Sequence, residues 1–179
     1  IPETYFTAWG SLFECLQLKS TDVLLVRAAT SALGYASMQI AKALGCRVYG
    51  TTHKKEKMHL ITDLGCEAVL DTGYKLPDGF YANKILELIG PKTLRDSLSH
   101  LYRGGIVCNT GILGGEFYLN SFDPIKEIPN GCYLTGFFSN YPTQEVMDRI
   151  FAFIDEYNVT PFIGASYRFE DVKQAIKAQ

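Results

Sequence analysis

The chain has 179 residues, 47% of them hydrophobic and 20% charged, and its 17 basic against 19 acidic side chains leave a formal charge of -2. This length suits one domain with a substantial core, and the near-neutral balance excludes the basic footprint of a nucleic-acid binder. No segment reaches the roughly 20 apolar residues that a spanning helix needs. The five cysteines are widely spaced, with no CxxC pair and no neighbouring histidine at metal-ligand spacing. They are expected as reduced core thiols, in a cytoplasmic protein without structural zinc. The opening Ile1-Pro2-Glu3 carries neither an initiator Met nor a signal peptide, and reads as an excision from something longer.

In chain order, a helix from Thr4 to Leu16 precedes a buried strand, Asp22 to Arg27. A small-residue loop leads into a helix from Leu33 to Leu44, with apolar residues at helical spacing and Gly45 placed as its cap. Arg47 to Thr52 is the second strand, Lys54 to Leu64 the second crossover helix and Glu67 to Asp71 the third strand. Thr72 to Ala82, with Gly73, Pro77 and Gly79, is expected as loop. Asn83 to Ile89 is a fourth strand, Lys92 to Leu101 a helix, Gly104-Gly105 a break, and Ile106 to Thr110 a fifth strand. Cys132 to Phe138 makes a sixth strand, followed by a helix from Pro142 to about Tyr157 and a last one from Glu170 to Ala178. Six strands alternating with helices predict an α/β fold, a doubly wound parallel Rossmann sheet with helices on both faces, whose ligand site lies at the carboxyl ends of the strands.

The loop after the first strand, Ala28-Ala29-Thr30-Ser31-Ala32-Leu33-Gly34, is built almost entirely of small residues. Such a loop lets backbone approach a pyrophosphate, and Gly34 fits the role of close helix–strand packing. The full GxGxxG fingerprint is absent, so a tight turn that needs small residues only for packing stays open. At the end of the second strand, Thr51-Thr52-His53-Lys54-Lys55-Glu56-Lys57 has hydroxyls and cations where a carboxylate would hold a ribose 2′-hydroxyl. That pattern favours the 2′-phosphate of NADP(H), against the alternative of ordinary solvated lysines. His53 is open between adenine packing, phosphate donor and plain surface histidine.

PETYFTAWGSL (Pro2 to Leu12), DVLLVRAATSALGYASMQIAKALGCRVYGTT (Asp22 to Thr52), EKMHLITDLGCEAVLD, ILELIG, TLRDSLSHLYRGGIVCNTG and YRFEDVKQAIKA together resemble the cofactor domain of medium-chain dehydrogenase/reductases. The branch they resemble is the zinc-independent quinone oxidoreductases, also described as zinc-type alcohol dehydrogenase-like, and the similarity runs along essentially the whole chain. The resemblance implies an NADPH-dependent reductase in which Ala32, Leu33 and Gly34 line the pyrophosphate. It also implies that Thr52, Lys54 and Lys57 meet the 2′-phosphate, and that Leu88, Ile89 and Gly90 border the adenosine. Thr110, Gly111 and Ile112, with Phe137, Phe138 and Ser139, would approach the nicotinamide, and Thr7 would lie near its end.

Several positions depart from the family pattern. Ser31 and Ala32 stand where many members have glycines, Thr72 where a tyrosine is frequent, and Glu3 about where zinc-dependent relatives carry a cysteine ligand. The loop Gly73 to Asn83 is shorter than usual and implies a lost helix. The family's other domain, a GroES-like barrel that covers the substrate, would precede Ile1, so the chain is read as a single dinucleotide-binding domain, residues 1–179, inactive in isolation. The resemblance further implies a homodimer formed through the sixth strand, unless Phe117 to Phe122 covers that edge, and a small-molecule substrate, a quinone or α,β-unsaturated carbonyl. No side chain earns a general-acid role. A module that holds the dinucleotide without turnover is the alternative reading, and a methyltransferase of similar topology is disfavoured because it wants an acid after the second strand.

Overall fold

The computed structural model describes residues 2–178. Six strands form one sheet: β1 (Val23–Val26), β2 (Arg47–Thr52), β3 (Glu67–Leu70), β4 (Ala82–Glu87), β5 (Leu101–Asn109) and β6 (Tyr133–Gly136). They are ordered β3-β2-β1-β4-β5-β6, and every neighbouring pair is parallel. The chain therefore winds outward from β1 in one direction and from β4 in the other, and a crevice opens between their carboxyl ends. The expected doubly wound sheet is present.

Side chains alternate across the strands because the strand repeat is two residues. Leu24, Val26, Leu86 and Cys108 join one core cluster, while Leu25, Ile85 and Val107 join the other. The first cluster is closed by α1 (Pro2–Trp9), α2 (Ala32–Leu44), α3 (His59–Thr62) and α6 (Gln144–Glu156), which contribute Phe6, Ile40, Ile61 and Ile150. The opposite face is covered by α4 (Pro91–Ser99), through Leu94 and Leu98, with α5 (Pro124–Glu127) packed against that helix. A last helix, α7 (Val172–Ala178), buries no residue.

Several boundaries differ from the sequence reading. The first helix gives way at Gly10 to a π-helical turn, Gly10–Cys15. A Cβ on Gly10 would sit 2.1 Å from the Phe137 ring, so that ring occupies the space the glycine leaves. The expected helix Lys54 to Leu64 is broken: Lys54 is extended, Lys55–Lys57 form a 3₁₀ turn, and only the four residues of α3 are α-helical. Three lysines crowd that first turn, and Ile61 alone is buried to hold the segment down. The glycine pair does not stop a strand, since β5 runs unbroken through Gly104 and Gly105; the irregularity is absorbed as a register shift opposite Ala82 and Lys84. β4 ends at Glu87, so Leu88 and Ile89 belong to the loop beyond it. The short helix α5 had no sequence signal beyond Asp123, whose carboxylate caps it. Thr72 to Tyr81 is irregular as expected, held by a small antiparallel bridge between Thr72 and Lys75. Among the described residues no helix is long and apolar enough to cross a membrane.

Candidate functional site

The loop from β1 to α2 sits at the crevice. Ala28 takes a left-handed conformation, φ 53°, and is held there by its amide, which donates to Thr51 Oγ1 at 3.1 Å. The Ala29 amide donates to the Thr51 carbonyl at 2.9 Å. Ser31 caps α2 by accepting from the Gly34 amide at 3.1 Å, which leaves the amides of Ala32 and Leu33 with no protein partner among the described residues. Those two N–H groups, at the positive end of a 13-residue helix, form an anion cradle. A Cβ on Gly34 would lie 2.6 Å from the Ala28 carbonyl and 2.7 Å from Ala29 Cα. Only glycine permits this approach, so the packing role read from the sequence is met in the structure.

Two clefts flank the cradle. The first, about 250 Å³, is lined by Ser31, Thr52, His53, Lys57, Asp71 and Ile89, among others. Lys54 stays outside it; its amide donates to Thr52 Oγ1 at 3.2 Å, so it fixes Thr52 while its own side chain is exposed. Leu88 is buried in the core, and Gly90, φ 94°, reaches within contact of the Gly111 carbonyl, so these two shape the crossing of the loops after β4 and β5. Ile112 is likewise outside the lining, where Leu113 and Gly114 take its place. The second cleft is lined by Thr7, Leu33, Thr110, Phe137, Phe138 and Ser139, together with Glu3, Thr4 and Ala32. The sequence-selected residues thus divide between the two clefts, with Gly34, Lys54, Leu88, Gly90, Gly111 and Ile112 outside both linings.

Residues the sequence reading missed lie beneath the first cleft. Arg27, fully buried, donates to Asp71 at 3.0 Å, to Asp96 at 2.8 Å and to the Tyr74 carbonyl at 2.9 Å. Glu87, also fully buried, accepts from the amides of Ile89 and Gly90 and from Ser97 Oγ at 2.5 Å. Burial pushes the carboxyl groups of both Asp71 and Glu87 above the usual range, and the Arg27 charge works against that rise. Tyr74, φ 65°, lines the cleft two residues beyond Thr72, where the resembled family often has its tyrosine, and Lys92 Nζ lies 4.1 Å above its ring. The available signal was a charged residue closing each of two apolar strands that flank β2, Arg27 after DVLLV and Asp71 after AVL.

Among the described residues no three His, Cys, Asp or Glu side chains gather into a metal site. The cradle, the glycine beneath it and the paired clefts instead fit a dinucleotide lying across the start of α2.

Residues 32–156 match the family model described as zinc-binding dehydrogenase. The chain belongs to that family. It is a cofactor-binding domain of the medium-chain dehydrogenase/reductases, as the sequence resemblance implied. The quinone oxidoreductase of Rattus norvegicus is 28% identical over 184 residues, spanning 96% of this chain and 54% of that protein. The quinone oxidoreductase-like protein 2 homolog of Nematostella vectensis is 26% identical over 197 residues, spanning 97% and 52%. The chain therefore spans about half the length of these relatives. Among solved structures, the Thermus thermophilus quinone oxidoreductase, determined also as its complex with NADPH, superposes with a TM-score of 0.78 at 23% identity, covering 99% of this chain and 60% of that one. The nucleotide-binding subdomain of the enoylreductase domain of PpsC from Mycobacterium tuberculosis gives 0.73 at 20% identity, covering 89% and 96%. At such identities these two show the shared fold.

Proposed function

We propose that this chain binds NADPH across the start of α2 and is the cofactor half of a reductase acting on a quinone or an α,β-unsaturated carbonyl compound. The observation that carries the choice of NADPH is the rim of the first cleft, where Thr52, His53 and Lys57 stand and the nearest carboxylate, Asp71, is tied down by Arg27. A 2′-phosphate finds hydroxyl and cationic donors there, whereas a ribose diol finds only the buried Asp71 carboxylate, whose charge is matched by Arg27. The amides of Ala32 and Leu33 take the pyrophosphate, and the second cleft receives the nicotinamide against Phe137 and Thr110. The bound dinucleotide supplies the hydride chemistry. The chain's own residues hold and orient it, and the apolar walls keep water from the ring. The relatives named as quinone oxidoreductases support the substrate class. β6, as the outer strand with Tyr133 exposed, supports a dimer formed by pairing two such edges, and five free cysteines support a reducing, cytoplasmic setting.

Calorimetric titration with NADPH and NADH, repeated on Lys57→Ala, tests the reading. NADPH is expected to bind at least about tenfold tighter than NADH, and the variant to lose that preference with NADH affinity unchanged. Equal affinities in the unaltered chain would remove the 2′-phosphate site. NADPH binding with no reductase turnover in a chain joined to a barrel domain would favour a non-catalytic dinucleotide-binding module.

A further inference from the structure

We propose that Glu3 is a positioning residue that turns the hydroxyls of Thr7 and Ser139 into hydrogen-bond acceptors, so that the second cleft selects the carboxamide N–H of a nicotinamide ring. The inference rests on the NADPH reading above and specifies what that cleft recognises.

A hydroxyl has one proton to give and two lone pairs to offer. Thr7 Oγ1 donates to Glu3 Oε1 at 2.9 Å, and Ser139 Oγ donates to the same oxygen at 2.8 Å. The two donors are far apart in the chain, one on α1 and the other just past β6, and both line the cleft that Glu3 borders. Each hydroxyl proton is thus committed to the carboxylate, which as an ion can only accept. What remains for a bound molecule is lone pairs.

The polarity continues deeper. Ser11 Oγ donates to the Thr7 carbonyl at 2.7 Å, so in its 2.9 Å contact with Thr110 Oγ1 the proton comes from Thr110. Cys108 Sγ lies 3.4 Å from Thr110 Oγ1. Burial pushes the Cys108 thiol up to about 12, so it remains S–H and donates. The proton order therefore runs Cys108 to Thr110 to Ser11 to the Thr7 carbonyl. Three hydroxyl oxygens of the cleft, on Thr7, Thr110 and Ser139, have their protons turned elsewhere.

The Thr7, Thr110 and Ser139 side of the cleft, unlike the Thr4 hydroxyl that also lines it, offers acceptors and wants N–H donors. A primary carboxamide supplies two, an acetyl group of similar shape supplies none, and a carboxylate meets lone pairs with its own charge. Rejection follows from acceptors left unpaired, a stronger discriminator than shape.

The test measures affinities of NADP+, its 3-acetylpyridine analogue, its nicotinic acid analogue and 2′,5′-ADP by calorimetry, for the unaltered chain and for Glu3→Ala. NADP+ is expected to bind at least about tenfold tighter than the acetylpyridine analogue, with the nicotinic acid analogue weaker again. In Glu3→Ala both hydroxyls lose the one oxygen that accepts from them, and their protons are free to turn toward the cleft. The ratio should then narrow to within about threefold while 2′,5′-ADP affinity stays unchanged. Glu3 is exposed, so the substitution leaves the core alone. Equal binding of all three dinucleotides by the unaltered chain overturns the proposal, as does full discrimination retained in Glu3→Ala. Failure of both NADP+ and 2′,5′-ADP to bind is a separate result, which removes the cofactor reading itself.

Discussion

The cleft on the β2–β3 side of the cradle stands on buried charge, whereas the cleft on the β5–β6 side is lined with hydroxyls and phenyl rings. Beneath the first, one arginine faces three carboxylates, those of Asp71, Asp96 and Glu87, two of them fully or almost fully removed from water. Around the second, the polar contacts are neutral apart from Glu3 at the mouth. Buried charge is costly to rearrange, because each ion depends on its partners for the solvation it has lost. Hydroxyls reorient at little cost. In the proposed function the first cleft is a fixed socket for the adenosine half of a dinucleotide, and the second is a wall whose hydroxyls stay turned only while Glu3 holds them.

The largest expected effect breaks the socket. Arg27→Met leaves Asp71 and Glu87 buried without a counter-charge, and should cost about 3–5 kcal/mol in urea unfolding at neutral pH. The sign of the pH dependence follows from the raised carboxyl groups. The folded state holds their protons at pH values where the unfolded chain has released them, so this part of the stability is full at low pH and falls as pH rises through the raised values. Removing Arg27 raises them further, so the deficit of the variant should shrink at pH 5 and widen at pH 8. A deficit independent of pH would mean that the cluster acts through packing alone. The corresponding substitution in the other cleft, Glu3→Ala, removes an exposed acceptor and should cost less than about 1 kcal/mol.

The next effect tests the ridge between the two clefts. Gly34→Ala places a methyl group within 3 Å of the backbone of Ala28 and Ala29, atoms that cannot swing aside as a side chain would. About 2 kcal/mol of stability should be lost, and NADPH affinity should fall with it as the start of α2 is displaced from the strand. A loss of stability with affinity intact would place the pyrophosphate elsewhere.

The same division governs what could be read from the sequence. The sheet was legible because buried parallel strands write themselves as apolar runs, and Gly34 was legible because a helix crossing that close has one residue to choose. The wall residues Thr110, Phe137 and Ser139 followed from a family resemblance. The Arg27 cluster stayed hidden because its members come from the end of β1, the end of β3, the end of β4 and the middle of α4, and no local pattern announces that four such residues will meet. Glu3 was legible only as the residue in place of a cysteine, since one of its two bonds comes from Ser139, on a loop more than a hundred residues away. The helix expected at Lys54 to Leu64 is broken for a related reason: a first turn carrying three lysines, with Ile61 as the one buried anchor, does not hold a full helix against solvent.

The smallest expected effect carries the opposite sign. Ala28 adopts a φ of 53°, a conformation in which a Cβ crowds the backbone by about 1 kcal/mol, and which is retained here because its amide reaches Thr51 Oγ1. Glycine removes the crowding, at the expense of a more flexible unfolded chain, so Ala28→Gly should stabilise by about 0.5 kcal/mol, read as a shift of the urea midpoint with unchanged slope. The strain lies in the loop that aims the cradle. If it serves to hold the amides of Ala32 and Leu33 toward an anion, the variant gains stability and loses NADPH affinity together. A gain in both would show that the alanine is tolerated there and that Ser31 and Gly34 alone fix the cradle.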